Sequence, residues 1–155
     1  MDKAQLQTFM RRAIALGRKG GIEERTGGPF GAIIVKDGKI VGEASSLVLS
    51  IPDATAHSEV LAIRDACKRL KTHDLAGCVM FASGQPCEMC AGAAQRARLE
   101  RVFYAGPRED TLAYGYSSPG GKGRPNVPVP MEMILREEQR EVWEEFKAKV
   151  GHVGY

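Results

Sequence analysis

Apolar and small side chains fall at positions 6, 9, 10, 13, 14 and 17, the spacing of one helical face, and predict a helix from Leu6 to Gly17. Gly20, Gly21, Gly27, Gly28 and Pro29 then break the chain. Phe30–Val35 and Lys39–Glu43 flank Asp37-Gly38, a strong hairpin signal, so both arms are predicted as strands. Ile51-Pro52-Asp53 interrupts the extension, and Asp53 or Thr55 offers a cap for a helix from about Ala56 to Leu70. Cys78–Ser83 is short and apolar, as a buried strand should be. Pro86 opens an alanine-rich helix to about Arg98, and Val102–Ala105 is another short strand. A stretch rich in Gly and Pro runs from Gly115 to Pro130, and residues 137–149 form a last helix with Trp143 and Phe146 on one packing face.

The order is therefore helix, hairpin, helix, strand, helix, strand, helix. Strands alternating with helices require crossover connections that lay helices on both faces of a sheet. The fold class is α/β: a three-layer α/β/α sandwich with a central mixed sheet flanked by helices.

Composition narrows the setting. The chain has 155 residues, 43% hydrophobic and 26% charged, ordinary values for one globular domain spanning 1–155. No run of apolar residues is long enough to span a membrane, and the amphipathic N-terminus lacks the pattern of a secretory signal, so the expected compartment is cytoplasmic. Four cysteines are then expected as free thiols. A net charge of +3 is mild for a nucleic-acid partner.

Chemistry concentrates in two short stretches, Thr55-Ala56-His57-Ser58-Glu59-Val60 and Pro86-Cys87-Glu88-Met89-Cys90. Imidazole and thiolate are zinc ligands, and three protein ligands leave the fourth tetrahedral position open for water. A Cys-x-x-Cys pair on the first turn of a helix gains from the unpaired N–H groups and partial positive charge there, which favour thiolates. His57 falls at the start of its own helix. Two thiolates neutralise the ion, so a nearby carboxylate has to take the water's proton, and Glu59 lies two residues from the ligand. Two rival readings stand beside this one. A redox Cys-x-x-Cys lacks its usual sequence context here and leaves the His-x-Glu unexplained. A structural zinc module needs a fourth ligand from Cys67, Cys78 or His73, but the two cysteines read as core, and His73 and His152 as surface or tail residues.

The combination of these motifs resembles the cytidine deaminase superfamily, in the branch of bacterial guanine deaminases and transfer-RNA adenosine deaminases. The likeness covers Gly27–Asp37-Gly38, Thr55–Arg64, Pro86–Ala93 and Val102–Ala105. It implies a sandwich of the cytidine-deaminase type, one Zn2+ per chain on His57, Cys87 and Cys90, and Glu59 as the acid/base. It further implies hydrolytic deamination of a small heterocyclic amine with release of ammonia. Backbone N–H groups near Ala56 and Cys87 are the expected donors to ring and developing oxygen, and Phe30 is expected in the pocket or the core.

Substrate is less sharply indicated. The segment 137–155 looks like the tail of small guanine deaminases, so Tyr155 is expected as a lid over a partner's pocket in a homodimer. Residues 131–149 hold six glutamates against four Lys or Arg, which disfavours RNA, and Lys122 and Arg124 read as a solvated loop. Ser46 stands where the branch usually has a base-reading Asn. Tyr116 and Ser118, in Gly115-Tyr116-Ser117-Ser118, replace a Gly-Phe-Asp-Asp pattern. Arg96 replaces an aromatic residue, and it is expected to face solvent rather than the pocket mouth. Guanine or a related purine, pterin or triazine is the expected substrate class, with a cytosine-type pyrimidine or transfer-RNA adenosine as alternatives.

Overall fold

The computed structural model describes residues 1–116 and 129–151. Ser117, Ser118, Lys122, Arg124, His152 and Tyr155 lie outside the described residues.

Helix α1 (Lys3–Arg18) begins with a capping box: Asp2 accepts from the Gln5 N–H at 2.9 Å, and the Gln5 side chain accepts from the Asp2 N–H at 3.0 Å. It buries Met10, Ala13, Ile14 and Gly17, the predicted face. The glycines that follow do not stop the winding. A π-helical turn continues over Lys19–Glu24 and ends at Arg25 in the left-handed region. A Cβ on Gly21 would lie 2.7 Å from Pro29 Cα, so glycine serves a close backbone approach there rather than a break.

Strands β1 (Gly31–Lys36) and β2 (Lys39–Ser45) form the predicted hairpin, with Asp37 and Gly38 both at positive φ, as its tight turn requires. β3 (Val79–Gly84) lies antiparallel to β1 and parallel to β4 (Arg101–Gly106), which pairs in parallel with β5 (Met131–Met133). The sheet order is β2-β1-β3-β4-β5, a mixed five-stranded sheet. Helices α2 (Ser58–Leu70) and α3 (Glu88–Arg96) follow the hairpin and β3; α4 (Arg108–Tyr114) follows β4; α5 (Arg136–Lys149) follows β5.

Alternation along the strands builds the three layers. Ile33, Val35, Phe81, Phe103 and Ala105 face Met10, Ile14, Trp143 and Phe146 of α1 and α5. Ala32, Ile34, Met80, Ala82 and Val102 face Ala62, Ala66 and Ala94 of α2 and α3. Both faces of the central strands are thus covered, which explains their unbroken apolar runs. The sheet faces the α5 side so closely that Gly106 touches the Trp143 ring where any Cβ would overlap it. Through Trp143 and Phe146, both fully buried, α5 packs on this chain's own sheet.

Three elements were not among those expected from sequence: the π-helical turn, α4 and β5. Element boundaries also move, most usefully at the second and third helices. The second helix begins at Ser58 with His57 as its N-cap, while Asp53 Oδ1 instead accepts from the N–H and hydroxyl of Thr55 at 2.8 and 2.7 Å, closing the turn before it. The third helix ends at Arg96.

Candidate metal centre and active-site pocket

β3 and β4 run parallel, and their carboxyl ends feed the loops that carry Gln85–Cys87 and Pro107–Thr111 to one edge of the sheet. Such a location is where ligands bind in open α/β sheets. Across this edge lies the N-terminus of α2. Cys87 and His57 occupy equivalent places: each is the extended N-cap residue of its helix, and neither side chain caps its helix. Both side chains turn instead toward each other, and Cys90, one turn into α3, joins them.

The Sγ atoms of Cys87 and Cys90 lie 3.7 and 3.5 Å from His57 Nδ1, and the three donor atoms fall within 4.8 Å of one another. Tetrahedral zinc, with bonds of about 2.3 Å to sulfur and about 2.0–2.1 Å to nitrogen, spaces such ligands about 3.6 Å apart. The donor set fits one zinc ion per chain. Among the described residues no fourth His, Cys, Asp or Glu completes it. Cys78 is buried in the core, Cys67 packs against the same apolar cluster, and His73 is exposed.

Electrostatics agree. The hydrogen bond with Cys90 draws the Cys87 thiol down to about 4, against burial and with help from His57. The same bond, with burial, pushes Cys90 up. Cys87 also raises His57 above its ordinary value, opposed by burial and reinforced by the charge of Glu59. Two sulfurs and an imidazole that compete for protons are a site prepared for a cation to replace them.

Glu59, in the first turn of α2, is buried, and Ser58 Oγ donates to its Oε1 at 2.5 Å. Glu59 lines a pocket, partly open to solvent, together with His57 and Cys87. Phe30 also lines it and packs edge-on against Trp143, with ring centroids 5.8 Å apart, so it serves pocket and core together. Ser46 is buried on the pocket wall. Tyr116 reaches the pocket as well, but its hydroxyl donates to the Trp143 carbonyl at 3.2 Å.

One expectation is corrected. Ala56 is fully buried away from the pocket lining; its N–H donates to the Asp53 carbonyl at 3.1 Å and its carbonyl accepts from Leu47, so the tight turn before α2 has already used the expected donor. Arg96 is exposed on α3, off the pocket. The arginine on the pocket wall is Arg108, accompanied by Gln85 and Thr111. Single-residue reading missed all three. The signal that could have found them is topological, since each lies just past the carboxyl end of a parallel strand.

Relatives share this architecture. Residues 3–106 match the family of the cytidine and deoxycytidylate deaminase zinc-binding region. The chain is 46% identical over 110 residues to guanine deaminase of Bacillus subtilis strain 168, covering 71% of this chain and 70% of that protein. It is 40% identical over 100 residues to tRNA-specific adenosine deaminase of Aquifex aeolicus, covering 64% and 62%. Among solved structures, guanine deaminase of B. subtilis superposes with a TM-score of 0.68 at 34% identity, over 100% of this chain and 99% of the other. Guanine deaminase from Nitrosomonas europaea shares the fold, with a TM-score of 0.78 at 22% identity over 96% and 85%. The matched stretch contains the whole donor set and the carboxylate beside it, and on that ground the chain belongs to the cytidine and deoxycytidylate deaminase family, as a zinc-dependent hydrolase acting on C–N bonds.

Proposed function

We propose that the whole chain, 1–155, acts as one deaminase domain that converts a small aminated nitrogen heterocycle and water into the oxo-heterocycle and ammonia. Guanine or a related aminopurine is the first substrate class. The observation that carries this reading is the placement of the buried Glu59 carboxylate on the same pocket wall as His57 and Cys87.

His57, Cys87 and Cys90 hold the zinc, which supplies Lewis-acid chemistry that makes water nucleophilic near neutral pH. Glu59 accepts the proton that water gives up as the new C–O bond forms. It delivers that proton to the ring nitrogen beside the aminated carbon, which draws electron density from the carbon under attack. It then takes the remaining proton from the added hydroxyl and passes it to the amino nitrogen; the C–N bond breaks with its electron pair on nitrogen, the C=O forms, and ammonia leaves. Phe30 and Tyr116 offer apolar walls to a planar ring, and Ser46 offers a hydroxyl to the ring edge.

Similarity to guanine deaminases over most of the chain supports the purine assignment. Against RNA, three of the four basic residues of α5 are taken up by acidic neighbours: Arg136 by Asp110, Arg140 by Glu137 and Lys149 by Glu145. Exposed apolar side chains at Leu49, Ile51 and Met89 support a homodimer, and free thiols at Cys67 and Cys78 support a reducing, cytoplasmic setting. We assign Tyr155 and the tail as its lid by likeness alone.

The test is ammonia release from purines, pyrimidines, pterins, triazines and nucleosides, run beside transfer-RNA binding at two salt concentrations. Release from a free aminopurine with weak RNA binding is expected. Tight, salt-sensitive transfer-RNA binding with release only from adenosine in RNA would overturn the assignment.

A further inference from the structure

The arginines of this protein are mostly neutralised by carboxylates at hydrogen-bond distance. Arg136 grips Asp110 through two bonds of 2.9 and 2.7 Å, Arg18 grips Glu145 at 2.8 and 2.7 Å, and Arg12 grips Glu43 at 3.1 and 2.9 Å. Arg108 differs. Its backbone is fixed, the N–H donating to Gln85 Oε1 at 2.8 Å and the carbonyl accepting from Thr111 Oγ1 at 2.8 Å. Among the described residues its guanidinium meets a carboxylate only at Glu88 Oε1, at 3.8 Å, beyond hydrogen-bond range. The side chain is half-buried and lines the active-site pocket.

The other polar groups on that wall have the same sense. Gln85 has its Oε1 engaged by the Arg108 N–H, which leaves its NH2 to donate, and Ser46 adds a hydroxyl that is able to donate or accept. Among the described lining residues the only carboxylate is Glu59, which serves the reacting carbon. A wall of donors with one under-paired guanidinium matches a ligand edge that presents acceptor oxygen, neutral or anionic, and mismatches an edge of N–H groups.

We propose that Arg108 is the specificity-determining residue of this pocket. It reads a carbonyl or deprotonated lactam oxygen on the substrate ring, so the substrate is an amino-oxo heterocycle rather than a purely amino-substituted one. This rests on the deaminase reading above and names the substrate feature that reading left open. An oxygen-free analogue leaves the guanidinium in the pocket without its partner, and such a loss discriminates strongly between otherwise equal rings.

Matched pairs test this: guanine against 2-aminopurine, and cytosine against 4-aminopyrimidine, by ammonia release from the zinc-loaded protein and its Arg108→Gln and Arg108→Lys variants. The native protein is expected to prefer the oxo member of its reactive pair by about 10- to 100-fold in kcat/KM, the range of one charge-assisted hydrogen bond. Arg108→Gln should abolish most of that preference by slowing the oxo member alone, and Arg108→Lys should restore part of it. Thermal melting of both variants checks that the fold is kept. Equal rates on both members, or a preference unchanged in Arg108→Gln, would overturn the role of Arg108 while leaving deamination intact. Silence on every pair would overturn this inference and the guanine and cytosine assignments with it, while the wider ammonia-release screen decides the reaction itself.

Discussion

The Ser58 hydroxyl donates to Glu59 Oε1 at 2.5 Å, and both side chains are buried at the first turn of α2. One carboxylate oxygen is thereby fixed, and the other is left for the proton it has to carry. Ser58→Ala removes the donor without touching a metal ligand. It should lower kcat about 10-fold, as loss of an orienting partner commonly does, with KM and zinc content little changed. An equal rise in KM, or loss of zinc, would show that Ser58 shapes the pocket rather than the carboxylate.

Ser46 occupies the pocket wall with a single hydroxyl, where an amide would offer a donor NH2 and an acceptor oxygen side by side and reach further into the pocket. Ser46→Asn is expected to raise kcat/KM for guanine relative to other reactive heterocycles by about 10-fold, the scale of one added hydrogen bond. The ratio of rates in competition assays measures it, and an unchanged ratio removes Ser46 from base reading.

Gly106 lies under the Trp143 indole, at the end of β4, where a methyl group has no room. Gly106→Ala should destabilise the protein by about 1–3 kcal/mol through overpacking. Urea denaturation reads the loss, and Trp143→Phe in the same chain should recover part of it. Additive losses in the double variant would show that the two positions do not press on each other.

Asp110 anchors α4 to α5 through Arg136, whose guanidinium holds the Asp110 carboxyl below its ordinary value of 3.8, against burial. A depressed folded-state value means that the native form favours the ionised carboxylate. Its stabilisation is complete well above pH 4 and is lost as pH falls below that, through the lowered folded value. The stability gap between native protein and Asp110→Asn should therefore be open at pH 7 and narrow as pH falls below the ordinary carboxylate value. A gap independent of pH would deny the pair its role.

Much of this was readable from sequence because long elements repeat their pattern. The stripe from Leu6 to Gly17 marked α1, and Asp37-Gly38 marked a turn that needs two positive φ values. His57, Cys87 and Cys90 stood out because their chemistry is rare and their spacing local, and the structure brings them together. Short elements carried too little pattern: β5 has three residues and α4 has seven. The pocket's specificity residues were hidden for another reason. Gln85, in the loop after β3, and Arg108, the first residue of α4, meet only because β3 and β4 are parallel neighbours, whereas Arg96 was conspicuous in sequence and faces outward.

Zinc content and ammonia release measured together on Glu59→Gln bear most directly on the proposed chemistry. The variant should keep about one zinc per chain and lose ammonia release by about 100-fold or more, the scale of an acid/base group. Native-like release from that zinc-loaded variant would contradict Glu59 as the proton carrier.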